Sequence, residues 1–433
     1  MYRSHINKLI NWKLDKNKMP LVFLGARQVG KTYLLQEFGK QEYRQVVYIN
    51  FERSEEMQDT FLHDLDPKRL IRAFEFHSGL KITPEDTLII LDEIQAAPRG
   101  ITSLKYFCEE TPEYQIIAAG SLLGIKLHPN ESFPVGKVNY MHLHPMSFYE
   151  FLLAMGEENG IARILREKRW DFIPTFSEKF KEYLKYYFYV GGMPKAVTAF
   201  AQQNDWQKVR RIQNEILNAY KDDFSKHAPK DVVPRINMVW DSIPAQLSKE
   251  NKKFIYGVMK EGARAKDFEV AIQWLTDAGL LHKVYNLSKP GLPLNAYQQL
   301  SVFKLYHNDL GLLGAMSNLK AKTLIDGNTL FTEHKGALTE QFVFQQLHLI
   351  EDLPVYYFSP DSHLEIDFVI QNEDDEVIPI EVKAEENLKA KSLRTYCDKY
   401  KNERAIRTSL SDYRQESWMT NVPLYVIGDY LKQ

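Results

Sequence analysis

One string constrains this chain more than any other. Residues 25–32 read Gly-Ala-Arg-Gln-Val-Gly-Lys-Thr, the spacing G-x-x-x-x-G-K-[ST]. A loop spelled this way works only between a buried strand and a helix, and both flanks are present: LVFLG (21–25) before it and KTYLLQEF (31–38) after it. Gly25 and Gly30 let the backbone curl, so that the N–H groups of Ala26, Arg27, Gln28 and Val29 turn inward toward phosphate oxygens. Lys31 supplies a point charge for β- and γ-phosphates, and Thr32 a hydroxyl for Mg²⁺. Tyr33 follows in the first turn of a helix whose N-terminal dipole favours an anion. Residues 25–33 are therefore the predicted nucleotide-binding segment.

The runs VVYINF (46–51), TLIILDE (87–93) and YQIIAAG (114–120) alternate with helical patterns. Buried strands punctuated by helices predict a parallel sheet with crossovers. Asp92, closing the second run, suits the acid that holds Mg²⁺ through water. Glu93 suits the base or water-positioning group for attack on a γ-phosphate. Ser121 ends a further strand and reads either as a group that senses the γ-phosphate or orients the lytic water, or as turn chemistry. Arg27 reads as solvated, the alternative being a contact over the nucleotide. Arg99, beyond the acidic strand, is a candidate for action across a subunit interface, though no arginine here is assigned that role.

The chain has 433 residues, 44% apolar and 26% charged, which excludes disorder on the scale of the whole chain. Fifty-five Lys+Arg against 57 Asp+Glu leave a net charge of −2, so no global basic field draws it to nucleic acid or anionic lipid. Cys108 and Cys397 form neither a disulfide framework nor a metal spacing, which predicts a reducing compartment. The opening residues MYRSHINKLINWKLDKNK are polar, and nowhere do 18 apolar residues run together. A cytoplasmic protein with no membrane partner is the expectation.

Three textures predict three domains, over residues 1–175, 176–330 and 331–433. The middle is mainly helical. Residues 250–300 read as a helix over NKKFIYGVMKE (251–261), a turn, a second helix over AIQWLTDAGLL (271–281) and a hairpin around SKPGLPL (288–294), the elements of a winged helix. Lys260, Arg264 and Lys266 stand there against Glu261, Asp267, Glu269 and Asp277, a balance that favours protein packing over DNA readout. His142 and His144 have no further His or Cys cluster beside them and read as strand or loop histidines.

GARQVGKT, IILDEIQ, GSLLG and VGKVNYMHLHPMSFYEFL, followed by YVGGMPKAV (189–197) and FKLYHNDLGLL (303–313), resemble prokaryotic AAA-family ATPases with a C-terminal DUF4143 region. The resemblance spans nearly the whole chain. It implies an α/β protein with an AAA-type parallel-sheet domain carrying the phosphate loop, a helical and winged-helix middle, and a restriction-endonuclease-like C-terminal domain. The preference for ATP over GTP rests on it too.

In LEIDFVI (364–370), Leu364, Ile366, Phe368 and Ile370 share one strand face, which puts Glu365 and Asp367 on the other. In VIPIEVK (377–383), Glu381 and Lys383 lie opposite Ile378, Ile380 and Val382. Glu340, Val343, Phe344 and Leu347 form the apolar stripe of a helix over 337–350, so Glu340 is expected to meet a cation there. The set matches the D…E-x-K arrangement of restriction-type nucleases. In it Asp367 and Glu381 would hold a second Mg²⁺, with Glu340 joining the metal shell, and Lys383 would position the attacking water or stabilise the developing phosphate charge. Lys389, Lys391, Arg394, Lys399, Lys401 and Arg404 add a local basic balance suited to a phosphate backbone. Two functions remain open: an ATPase that controls a nuclease-like domain acting on DNA, or a nucleotide-dependent switch that binds a protein partner without cleaving.

Overall fold

The apolar runs of the N-terminal third are strands of one parallel sheet. The computed structural model describes residues 1–121, 134–249, 252–326, 332–361, 364–385 and 390–432. Two compact units form, one of residues 2–144 with 277–279, the other of residues 1, 145–276 and 280–433. In the first, β1 (Leu21–Gly25), β2 (Gln45–Asn50), β3 (Thr87–Asp92), β4 (Gln115–Ser121) and β5 (Asn139–Leu143) lie in the order β2-β3-β4-β1-β5, every pair parallel. β1 and β3 are buried at every residue, which is why their sequences are apolar without alternation. Helices α1 (His5–Leu14), α2 (Lys31–Glu42), α3 (Glu55–His63), α4 (Pro67–Ser78) and α5 (Gly100–Glu110) belong to this unit. Register pairs Gly25 with Ser121 and Leu143, and Asp92 with Asn50 and Ala119. The loop and the acidic strand end therefore share the carboxyl edge of the sheet, where open α/β sheets bind ligands.

The second unit opens with α6 (Phe148–Ala154), α7 (Ile161–Arg166), α8 (Ile173–Val190), α9 (Pro194–Gln203), α10 (Trp206–His227), α11 (Val233–Leu247) and α12 (Ala265–Asp277). Strands β6 (Leu281–Leu287) and β7 (Gln298–His307) precede α13 (Leu310–Met316), α14 (Ala321–Asp326) and α15 (Thr332–His348). There follow β8 (Val355–Asp361), β9 (Leu364–Gln371), β10 (Val377–Val382), α16 (Lys391–Tyr400), β11 (Ile406–Ser409), β12 (Arg414–Gln415), β13 (Thr420–Pro423) and α17 (Ile427–Leu431). Its eight strands make one mixed sheet, ordered β12-β13-β11-β10-β9-β8-β6-β7.

Two expectations for residues 250–300 need correction. Residues 252–261 form no helix beyond a single turn at Tyr256–Val258. Their aromatic and β-branched residues pair instead as extended chain, with Phe254 N–H donating to the Phe303 carbonyl at 2.8 Å and the two rings stacked at 5.7 Å. The hairpin around 288–294 does form, between β6 and β7. Its β6 strand pairs in parallel with β8, so the hairpin extends the C-terminal sheet rather than closing a winged helix of its own.

Three of the family-like strings meet inside the second unit as a structural lock. Ser147 and Glu150 of HPMSFYEFL form a reciprocal cap on α6. Met146 N–H donates to the Gly192 carbonyl at 2.7 Å, and a Cβ on Gly192 would collide with Met146. Asp309 caps α13 through Leu312 N–H at 2.9 Å and also takes Gly192 N–H at 2.6 Å. Gly191, at φ 70°, passes so close to Asp309 and Gly311 that no side chain fits.

Candidate functional site

The phosphate loop is shaped by its backbone. Gln28 (φ 67°) and Gly30 (φ 93°) both turn left-handed, and Gly30 delivers the chain into α2. Alternating hands along such a loop turn successive N–H groups toward one point. A Cβ on Gly25 would collide with the Leu143 carbonyl of β5, and fully buried Val29 anchors the loop from beneath. Lys31 is only 7% exposed, and its Nζ donates to the Gly25 and Ala26 carbonyls at 2.9 and 3.1 Å. Burial pulls its pKa below the ordinary lysine value, while Glu93 and Asp92 pull the other way. A desolvated ammonium resting on neutral carbonyls is poised for stronger acceptors such as phosphate oxygens.

Near the lysine, Asp92 accepts three hydrogen bonds. Its Oδ2 accepts from the Thr32 hydroxyl at 2.9 Å and the Tyr48 hydroxyl at 2.7 Å, and its Oδ1 from Glu93 N–H at 3.2 Å. Burial, together with the neighbouring carboxylate of Asp92, pushes Tyr48 up to about 12. Glu93 stands at φ 52°, and burial raises its carboxyl above the usual range. Lys31, Thr32, Asp92 and Glu93 are thus brought together, with Ser121 in register beside Gly25. Arg27 lies toward Glu52 at 3.7 Å, Tyr33 is 49% exposed, and Arg99 donates to the Phe61 carbonyl at 3.0 Å.

Tyr48 and Arg3 were not legible as site residues. Tyr48 is one more aromatic in an apolar run, and Arg3 one more cation in a polar leader. In the fold Arg3 is 4% exposed, donating to the Val29 carbonyl at 2.9 Å and the His144 carbonyl at 2.6 Å. It braces the phosphate loop against the end of the unit. Arg3→Ala is expected to lower the unfolding free energy of this unit by about 2 kcal/mol, two bonds at about 1 kcal/mol each, read from its urea midpoint.

The acidic cluster of the second unit forms around lysine. Glu340, on α15, is 2% exposed, and its carboxylate receives the Lys252 ammonium, the Tyr306 hydroxyl, and Lys304 Nζ at 3.1 Å. Lys304, on β7, is wholly buried and reaches Glu365 at 3.0 Å as well. Burial pushes Glu340 up, but the two ammoniums outweigh it and hold the carboxyl well below its ordinary value. Burial likewise depresses Lys304, and the Glu340, Glu365 and Asp367 carboxylates overcome it. Asp367 is raised by burial and by Glu340, while Val382 N–H donates to its Oδ2 at 2.7 Å. Glu381 pairs with Lys383 at 2.7 Å.

Glu340 and Asp367 lie close enough to bear on each other's charge, while Glu381 pairs with Lys383. Among the described residues no group of three or more His, Cys, Asp or Glu side chains is placed to hold a metal ion. Two ammoniums already neutralise Glu340 and Glu365, because β6 and β7 carry Lys304 into the sheet. The cation expected beside Glu340 is present, as lysine. In the basic stretch Arg394 pairs with Asp398 at 3.1 Å and Arg404 with Glu376 at 3.3 Å, while Lys389 lies outside the described residues. Among the described residues no helix is long and apolar enough to cross a membrane.

Residues 17–152 match the AAA domain family, residues 181–323 a domain of unknown function (DUF8612), and residues 335–427 a domain of unknown function (DUF4143). An uncharacterized protein of Methanocaldococcus jannaschii is 23% identical over 408 residues, covering 90% of this chain and 80% of that protein. A second uncharacterized protein of the same archaeon is 24% identical over 225 residues, 48% of this chain and 44% of its own length. Among solved structures, the Walker-type ATPase of Pyrococcus abyssi aligns over 73% of this chain and 95% of its own, with 14% identity and a TM-score of 0.44. The chain thus carries an AAA domain in its N-terminal third and a DUF4143 domain near its C-terminal end.

Proposed function

We propose that the N-terminal unit binds ATP with Mg²⁺ and hydrolyses it, and that its nucleotide state sets the condition of the second unit. The observation that carries this reading is the convergence of Lys31, Thr32, Asp92 and Glu93 at one sheet edge, with Thr32 hydrogen-bonded to Asp92 at 2.9 Å. The loop N–H groups and Lys31 hold the β- and γ-phosphates. Thr32 and Asp92 are the oxygen donors suited to Mg²⁺, and their hydroxyl and carboxylate chemistry fits that ion. When bound, Mg²⁺ neutralises charge developing on the phosphates. Glu93 orients the attacking water and takes its proton.

For the second unit, the nuclease-like sheet serves as a binding module without a cleavage site. The neutralisation of Glu340 and Glu365 by Lys252 and Lys304 supports this over cutting. The test is ATP turnover by the full chain with Mg²⁺, with and without plasmid or single-stranded DNA, followed by electrophoresis of the DNA. The expected result is turnover with DNA left intact. Cleavage that disappears in Glu381→Ala would return the second unit to the nucleases, and absence of turnover would remove the ATPase reading.

A further inference from the structure

Glu93 is more tightly placed than a strand-end carboxylate needs to be. Its left-handed φ of 52° is a conformation that costs a non-glycine residue of order 1 kcal/mol or more. Four ties hold it there. Its N–H donates to Asp92 Oδ1 at 3.2 Å, and its carbonyl accepts Ala96 N–H at 2.9 Å. The next residue, Ile94, is fully buried. The fourth tie is on the carboxylate itself: Gln95 Nε2 donates to Glu93 Oε2 at 2.5 Å from within the one-turn helix Ile94–Ala96. The other end of the same amide, Oε1, is buried and has no hydrogen-bond partner among the described residues. A buried acceptor left over in this way is where proteins hold ordered water.

We infer that Gln95 is the positioning residue of ATP hydrolysis, its Nε2 fixing the Glu93 carboxylate and its Oε1 accepting a hydrogen bond from one O–H of the attacking water, a proton that stays on the oxygen. This rests on the ATPase reading above. The water oxygen forms a bond to the γ-phosphorus as the bond to the β–γ bridging oxygen breaks. The water's other proton passes to Glu93, and the bridging oxygen leaves on ADP. Two acceptors for two O–H bonds orient the water's lone pair at phosphorus. One carboxylate alone would leave the water free to rotate about a single hydrogen bond. The spacing E-x-Q is what lets one short turn present both side chains together.

The experiment compares wild type, Gln95→Leu, Gln95→Asn, Glu93→Ala and the double variant Glu93→Ala/Gln95→Leu, measuring kcat and KM for ATP and the affinity for ADP. Gln95→Leu is expected to lower kcat by about 10²-fold, the scale for one misplaced general base, with KM and ADP affinity within twofold of wild type. Gln95→Asn, which keeps both amide atoms on a shorter arm, is expected to recover part of the loss. Because Gln95 and Glu93 orient one and the same water, the double variant should lose less than the product of the two single losses. Unchanged kcat in Gln95→Leu, losses that multiply in full in the double variant, or a parallel loss of ADP affinity would overturn the inference. If Lys31→Ala abolishes turnover while Gln95→Leu does not change it, only this inference fails. If wild type does not turn over ATP, or if Lys31→Ala leaves its turnover intact, the ATPase reading fails and takes this inference with it.

Discussion

Lys31→Ala is expected to reduce ATP turnover by at least about 10²–10³-fold, the cost of about 2.7–4 kcal/mol that follows loss of one preorganised charge stabiliser. The physical reason is the state in which the lysine waits. Its ammonium is buried, destabilised by desolvation, and bonded only to carbonyls of its own loop. Phosphate oxygens are better acceptors than either, so the contact is strongest where negative charge is greatest. The same argument makes the variant stable in the absence of nucleotide, since removing a desolvated charge costs the fold little. Turnover and the thermal midpoint of the nucleotide-free protein separate the two effects. Full turnover by Lys31→Ala would sink the site, and a large drop in the midpoint would show the lysine to be structural.

Lys304→Met should have the largest effect on stability. It leaves Glu340 and Glu365 buried or half-buried without their shared ammonium, and breaking a buried pair on one side costs about 3–5 kcal/mol. Replacing both sides, as Lys304→Met with Glu340→Leu, should recover much of that loss, because similar-volume apolar residues bring no desolvation penalty. Urea unfolding of the full chain, followed through tryptophan fluorescence, checks both. The second unit holds Trp240 and Trp274, both in edge contact with Phe224, so its own transition is visible. A wild-type midpoint in Lys304→Met would mean that the ammonium is not what neutralises the cluster.

The two units differ in how much of them the sequence discloses. Around the phosphate loop nearly everything is local. The loop string names its own ligand chemistry, and the apolar runs at 21–25, 87–93 and 114–120 are buried strands because a parallel sheet covered on both faces demands continuous apolar residues. Lys31, Thr32, Asp92 and Glu93 were each legible as strand or helix ends. Tyr48 was not, since nothing in VVYINF marks which of its residues will reach a carboxylate on the next strand. Residues 252–261 misled for the opposite reason. Their composition permits a helix, and pairing with Phe303 chose extended chain.

The acidic cluster shows the division most sharply. Alternation in LEIDFVI and VIPIEVK correctly set Glu365, Asp367, Glu381 and Lys383 against the apolar faces, and the stripe on α15 correctly carried Glu340 inward. What period and pattern determine is the face on which a residue lies. Which partner waits there depends on strand order, and strand order is a tertiary fact. The sheet runs from β9 through β8 and β6 to β7, so a lysine about 60 residues upstream of Glu365 arrives between two carboxylates. By itself the sequence determined the phosphate loop, the parallel sheet and the inward glutamate. The tertiary structure alone decided that the charge meeting that glutamate belongs to Lys252 and Lys304, because a buried carboxylate must be neutralised and these ammoniums are the ones the fold brings within reach.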